Sequence, residues 1–140
     1  MSPENKMFSV TRVIHFCYGH RLMDYSGKCR HPHGHNGRIE VNIRKPKLNK
    51  LGMVMDFEDI KATIQKWVDT ELDHKMLLNE KDPLVKILRD LGEPVVTMKG
   101  NPTAEAIARF IFDYGIKQKL PVASVRVWET VNSFAEYAED

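Results

Sequence analysis

The sequence predicts an α+β domain, and three observations carry that prediction. The segment RIEVNIR at 38–44 alternates strictly, with Ile39, Val41 and Ile43 on one face and Arg38, Glu40, Asn42 and Arg44 on the other, the pattern of a half-buried antiparallel strand. The run FSVTRVIHF at 8–16 is rich in β-branched and aromatic residues, with Phe8, Val10, Ile14 and Phe16 on one face. Two longer segments carry apolar residues at helical spacing instead. At 140 residues the chain is one domain, 1–140.

In chain order, the first strand is expected at 8–16 and the second at 38–44. Pro46, Asn49 and Gly52 then mark a turn, and MVMDF at 53–57 is expected to pair back as the third strand of a hairpin. Asp56 opens the first helix with acids in its first turn, where they suit the positive end of the helix dipole. Ile60, Ile64, Trp67, Val68 and Leu72 form its apolar stripe, which should pack on the sheet. A shorter helix follows from Asp82 to Leu91, broken by Gly92 and Pro94 before a brief strand in PVVTM. Asn101 and Pro102 cap the second long helix, whose inner stripe is Ala104, Ile107, Ala108, Ile111, Phe112 and Gly115. The last strand, 124–130, carries Val125, Val127 and Glu129 on one face.

Lys plus Arg number 21 against 19 Asp plus Glu, a formal charge of +2 that argues against a nucleic-acid partner. No apolar run reaches the roughly 18 residues of a membrane span, and the opening MSPENKMFSV lacks the pattern of a secretory leader, so a cytoplasmic protein with no membrane partner is expected. With Cys17 and Cys29 as the two cysteines, there is no disulfide framework.

The chemistry concentrates in GHRLMDYSGKCRHPHGHNG at 19–37. His33 and His35 are two apart, so in an extended run both rings leave one face, and His20 returns to them across a loop of about a dozen residues. Three neutral imidazoles hold zinc with a fourth position open for catalysis. Two other readings stand beside this one: a solvated polar loop, and a closed zinc centre in which Cys29 is a fourth ligand. His15 and His31 are read as ordinary histidines. On residue type alone Glu129 is better read as a strand terminus, Glu105 as a first-turn acid, and Asp73-His74 as a helix end. The functional alternative for Asp73-His74 is an acid orienting a proton-shuttling imidazole.

Six ordered motifs, GHRL, C-x3-H-G-H-N, GMVMDF, LDHKMLL, PTAE and VWET, resemble the family of 6-pyruvoyl-tetrahydropterin and 6-carboxytetrahydropterin synthases from about Phe8 to Tyr137. The resemblance implies a T-fold (tunnelling fold), an antiparallel β-sheet with two main helices on one face, whose sheets join into a barrel in a homo-oligomer with active sites between subunits. It implies Zn2+ on His20, His33 and His35, Cys29 with Asp73 and His74 as catalytic residues, and Thr103, Glu105 and Glu129 around a small-molecule pterin substrate. The three-residue gap between Cys29 and His33 resembles the bacterial carboxytetrahydropterin branch. That branch implies conversion of 7,8-dihydroneopterin triphosphate to 6-carboxy-5,6,7,8-tetrahydropterin, acetaldehyde and triphosphate, on the route to queuosine. The runners-up are a pyruvoyl- or hydroxymethyl-forming enzyme of the family and, more distantly, a non-catalytic zinc or pterin binder. Two departures stand out: Phe16-Cys17-Tyr18-Gly19 precede His20 where the family has small residues, with Cys17 read as structural, and Ala106 follows PTAE where the family commonly has asparagine.

Overall fold

A computed structural model describes residues 6–139. Part of the leader reading, and the ends of the 1–140 domain, therefore lie outside the described residues. Six strands form one sheet: β1 (Phe8–His20), β2 (His33–Lys45), β3 (Lys75–Asn79), β4 (Val95–Met98), β5 (Val122–Thr130) and β6 (Ser133–Ala138), in the order β4-β3-β1-β2-β5-β6. The four strands β1, β2, β5 and β6 pair antiparallel, as expected, while β3 joins β1 and β4 joins β3 in parallel.

The helices are α1 (Phe57–Ile60), which continues through a π-helical stretch (Lys61–Gln65) into α2 (Lys66–Glu71), then α3 (Leu84–Asp90) and α4 (Ala104–Lys117). The 57–71 helix and α4 bury their stripes on one face of the sheet. Ile60, Ile64 and Val68, with Ile107, Ala108, Ile111 and Phe112, share a core with Ile14, Ile39, Val41, Ile43, Val125 and Val127. Complete burial of Ile39, Val41 and Ile43 accounts for the strict alternation of β2, because a slip of one residue would bring its charged side chains into that core. The two helices also meet directly, Trp67 stacking on Tyr114 with ring centroids 4.0 Å apart. Among the described residues no helix is long and apolar enough to cross a membrane.

The expected strand at 53–57 is absent. Asn49 closes the segment into a loop instead, its Oδ1 accepting from Leu51 N at 2.9 Å and Met53 N at 3.0 Å, and Val54 anchors the loop in the core. Because β1 and β5 occupy both edges of β2, no edge remains for a hairpin partner. The start of α4 is also corrected: its cap is Thr103, whose hydroxyl accepts from Ala106 N at 3.1 Å. Asn101 instead holds the loop after β1, exchanging hydrogen bonds with the amide and carbonyl of Met23 at 3.0 and 2.9 Å.

A buried ion pair fixes that loop as well. Asp82 is 3 % exposed and accepts from the Arg21 guanidinium through both oxygens. The hydrogen bond from Arg21 holds its carboxyl below the ordinary value, against the opposing effect of burial. Arg21→Met leaves an unpaired buried carboxylate and is expected to destabilise the protein by about 3–5 kcal/mol at pH 7. A depressed carboxyl contributes stability above its unfolded value, about 3.9, and loses it as pH falls through the folded value. Thermal melts of Arg21→Met and wild type should therefore differ at pH 7 and converge below about pH 4. A gap that persists unchanged into acid would refute this role.

Candidate metal centre and its surroundings

The ends of β1 and β2 build the centre. Antiparallel pairing sets His20 opposite His33 and Tyr18 opposite His35, so alternation turns His20, His33 and His35 to the helix-covered face. Their ligand atoms lie within 4.8 Å of one another, and this group of three can hold a metal ion. The outward-facing nitrogen of two rings is tied to a carbonyl: His20 Nδ1 donates to Pro102 O and His33 Nδ1 to His31 O, each at 2.7 Å. A backbone carbonyl on Nδ1 fixes the tautomer and leaves the Nε2 lone pair for a metal.

The inward nitrogens converge on one another. His33 Nε2 is buried with no hydrogen-bond partner, and His20 Nε2 faces His35 Nε2 at 3.1 Å. Burial pushes the His20 imidazole below its ordinary value, outweighing the Pro102 carbonyl and Glu129, so the ring is neutral as metal binding requires. The donor set fits a three-imidazole ion site. Cys29 is not in the group that converges, which favours the open arrangement over the closed four-ligand one. It sits in a short 3-10 turn (Lys28–Arg30), half-buried and free, with its carbonyl accepting from Leu22 N.

Glu129 reaches this corner from β5. Its carboxylate oxygens lie 3.9 Å from His20 Nε2 and 4.0 Å from His35 Nε2, and its side chain is 31 % exposed. It is thus a carboxylate set beside the imidazoles, not a terminus trailing into solvent. Thr103 stands next to Pro102, the residue that orients His20, but its hydroxyl is engaged in capping α4, and Glu105 is exposed in the first turn.

Asp73 and His74 form a dyad elsewhere. His74 Nδ1 donates to Asp73 Oδ2 at 2.7 Å, and Asp73 Oδ1 accepts from Cys17 N at 2.7 Å. Partial burial works to raise the Asp73 carboxyl, but these donors outweigh it and hold it below its ordinary value, so it stays an acceptor. His74 has φ 61°, a left-handed conformation that an L residue adopts at a cost, and its side chain is 77 % exposed. Parity puts Cys17 on the strand face opposite His20, so the dyad is bound to the strand at a residue turned away from the core. Cys17 is exposed there, against the expected structural thiol, and lines an open groove of about 760 Å³ with His33, His35, Asn36, His74 and Glu93.

Sequence reasoning missed Tyr18, 3 % exposed beside His20 and His35, and the two carbonyls that orient the rings. Extending the β1 alternation two residues past Phe16 would have found Tyr18. The carbonyl partners leave no mark in residue type.

The sequence profile described as 6-pyruvoyl tetrahydropterin synthase matches residues 9–140. The 6-carboxy-5,6,7,8-tetrahydropterin synthase of Rickettsia typhi is 37 % identical over 137 residues, covering 93 % of this chain and 99 % of the relative. Among solved structures, an uncharacterized protein of Wolinella succinogenes superposes with a TM-score of 0.84 at 24 % identity, covering 97 % of this chain and 100 % of the other. The Caenorhabditis elegans 6-pyruvoyl tetrahydropterin synthase gives 0.70 at 24 % identity, with 96 and 97 % covered. These superpositions establish the expected T-fold.

Proposed function

This chain belongs to the 6-pyruvoyl tetrahydropterin synthase family, and from that membership we propose that it is a zinc-dependent carbon-carbon lyase. In this reading it takes 7,8-dihydroneopterin triphosphate and water to 6-carboxy-5,6,7,8-tetrahydropterin, acetaldehyde and triphosphate. It works as a single-domain cytoplasmic homo-oligomer on the route to queuosine, with sites between subunits. The observation that carries the proposal is the convergence of three imidazoles beside Glu129. The choice of product is supported by relatives named 6-carboxy-5,6,7,8-tetrahydropterin synthase, among them the one from Rickettsia typhi.

His20, His33 and His35 would hold the zinc, which when bound supplies Lewis acidity toward the oxygens of the substrate side chain. Glu129 grips the guanidine-like edge of the pterin by paired hydrogen bonds, with Thr103 and Glu105 bordering the same pocket. The Cys29 thiolate removes a side-chain proton. Asp73 fixes the Nδ1–H tautomer of His74, leaving Nε2 to accept or return a proton on the other side. The test is mass spectrometry of products after incubating zinc-loaded protein with 7,8-dihydroneopterin triphosphate. Carboxytetrahydropterin with acetaldehyde is expected; a pyruvoyl or hydroxymethyl product would keep the family and overturn the reaction.

A further inference from the structure

Two consecutive residues, Asn101 and Pro102, reach two different parts of the site. The carbonyl of Pro102, a buried residue, accepts from His20 Nδ1 at 2.7 Å. The side chain of Asn101 goes instead to the loop that leaves β1. Its Oδ1 accepts from Met23 N at 3.0 Å and its Nδ2 donates to Met23 O at 2.9 Å, so one amide holds both main-chain groups of Met23. The same Oδ1 accepts from Asn79 Nδ2 at 3.3 Å, at the end of β3, and Thr103 N donates to Asn101 O at 2.9 Å. Asn101 is thus tied to the sheet and to the cap of α4 as well as to the loop.

That loop leads to Cys29. Leu22 N donates to Cys29 O at 2.9 Å, which closes the segment 22–29 at its base. Leu22 lies between two clamped neighbours, Arg21 on Asp82 and Met23 on Asn101. Arg21 is held through a long side chain, whereas Met23 is held at its main chain, so the Asn101 clamp restrains the backbone of Leu22 more directly. The contacts of Arg30 inside the segment, to Ser26 O at 3.2 Å and Gly27 O at 3.3 Å, are local and shape the turn itself. We infer that Asn101 is a positioning residue: through Met23 and Leu22 it sets the place of the Cys29 turn relative to His20, which the carbonyl of the next residue orients. This rests on the reading of Cys29 as the group that removes a substrate proton.

The test compares Asn101→Ala, Cys29→Ala and the double variant, all zinc-loaded, by amide hydrogen exchange and by turnover of 7,8-dihydroneopterin triphosphate. In Asn101→Ala two hydrogen bonds to Met23 are lost, so exchange at the Leu22 amide should quicken about 10-fold or more while the amides of β2 keep their protection. Zinc content should stay near stoichiometric, because the carbonyl on His20 belongs to Pro102. A displaced Cys29 should lower kcat on the order of 10- to 100-fold with KM little changed, a split that a merely structural role would not give. The double variant should be no slower than Cys29→Ala alone, because Asn101 acts through Cys29. Asn101→Asp keeps the acceptor for Met23 N but cannot donate to Met23 O, and should fall between wild type and Asn101→Ala in both readouts; it also carries the test should the alanine variant fail to fold. Unchanged Leu22 exchange, a wild-type kcat, or losses that multiply in the double variant overturns the inference. If Leu22 exchange quickens while Cys29→Ala itself turns over like wild type, the hold on the loop is supported and the reading of Cys29 falls.

Discussion

Replacing His33 with alanine is expected to strip the protein of its metal. The His33 ring is held by His31 O at 2.7 Å with a buried, partnerless Nε2, an arrangement that makes sense if that atom is spent on an ion. Two imidazoles remain in the variant, short of the three protein ligands of a catalytic zinc site, and affinity should fall on the order of 100-fold or more. Zinc per subunit after dialysis against a mild chelator reads this directly. An ion that binds the folded state alone also stabilises it, so chelation should lower the melting temperature of wild type and leave His33→Ala unmoved. Cys29→Ala is the control, since the thiol lies outside the converging group. It should keep near-stoichiometric zinc while losing turnover, and loss of zinc there would restore the closed four-ligand centre.

The three-histidine corner was legible because it depends on short-range periodicity. His33 and His35 share a face whenever the run is extended, and strict alternation from Ile39 to Ile43 set the parity of the whole of β2. Glu129 was half legible: its place in the Val125, Val127 series put it on the inner face, but residue type favoured solvent, and only the neighbouring strands bring imidazoles to it. The elements that escaped notice are set by distant partners. The run KMLLN of β3 lacks alternation because it lies between β1 and β4 in the sheet, and β6 pairs with β5 alone. The π-helical stretch at Lys61–Gln65 preserved the apolar stripe of the 57–71 helix and so left its reading intact. At the Asp73-His74 pair, LDHK reads locally as a helix end, as indeed it is. What turns it into a constrained pair is the amide of Cys17, 56 residues away, and the left-handed backbone at His74.

Mixing two inactive variants should restore activity. The dyad is tied to β1 at Cys17, on the strand face opposite His20, and the His74 side chain is 77 % exposed. A proton shuttle so exposed has little to orient a substrate against within its own subunit, whereas an exposed, backbone-strained imidazole is well suited to complete a neighbour's pocket. Cys29→Ala and His74→Ala should each cost on the order of 100- to 10,000-fold in turnover, as for loss of one acid-base group. If each site takes Cys29 from one chain and His74 from the next, random assembly of an equal mixture leaves about a quarter of the sites with both groups intact in a symmetric ring. Co-expressed or unfolded and refolded together, the two variants should therefore recover about a quarter of wild-type activity. Separately folded samples that do not exchange subunits should recover none. Were both groups drawn from the same chain, every subunit of the mixture would carry one lesion and activity would stay at the level of the single variants. A silent mixture of well-assembled, zinc-loaded oligomers would thus place the whole site within one chain, and His74 would have to reach it across the groove it lines with His33 and His35.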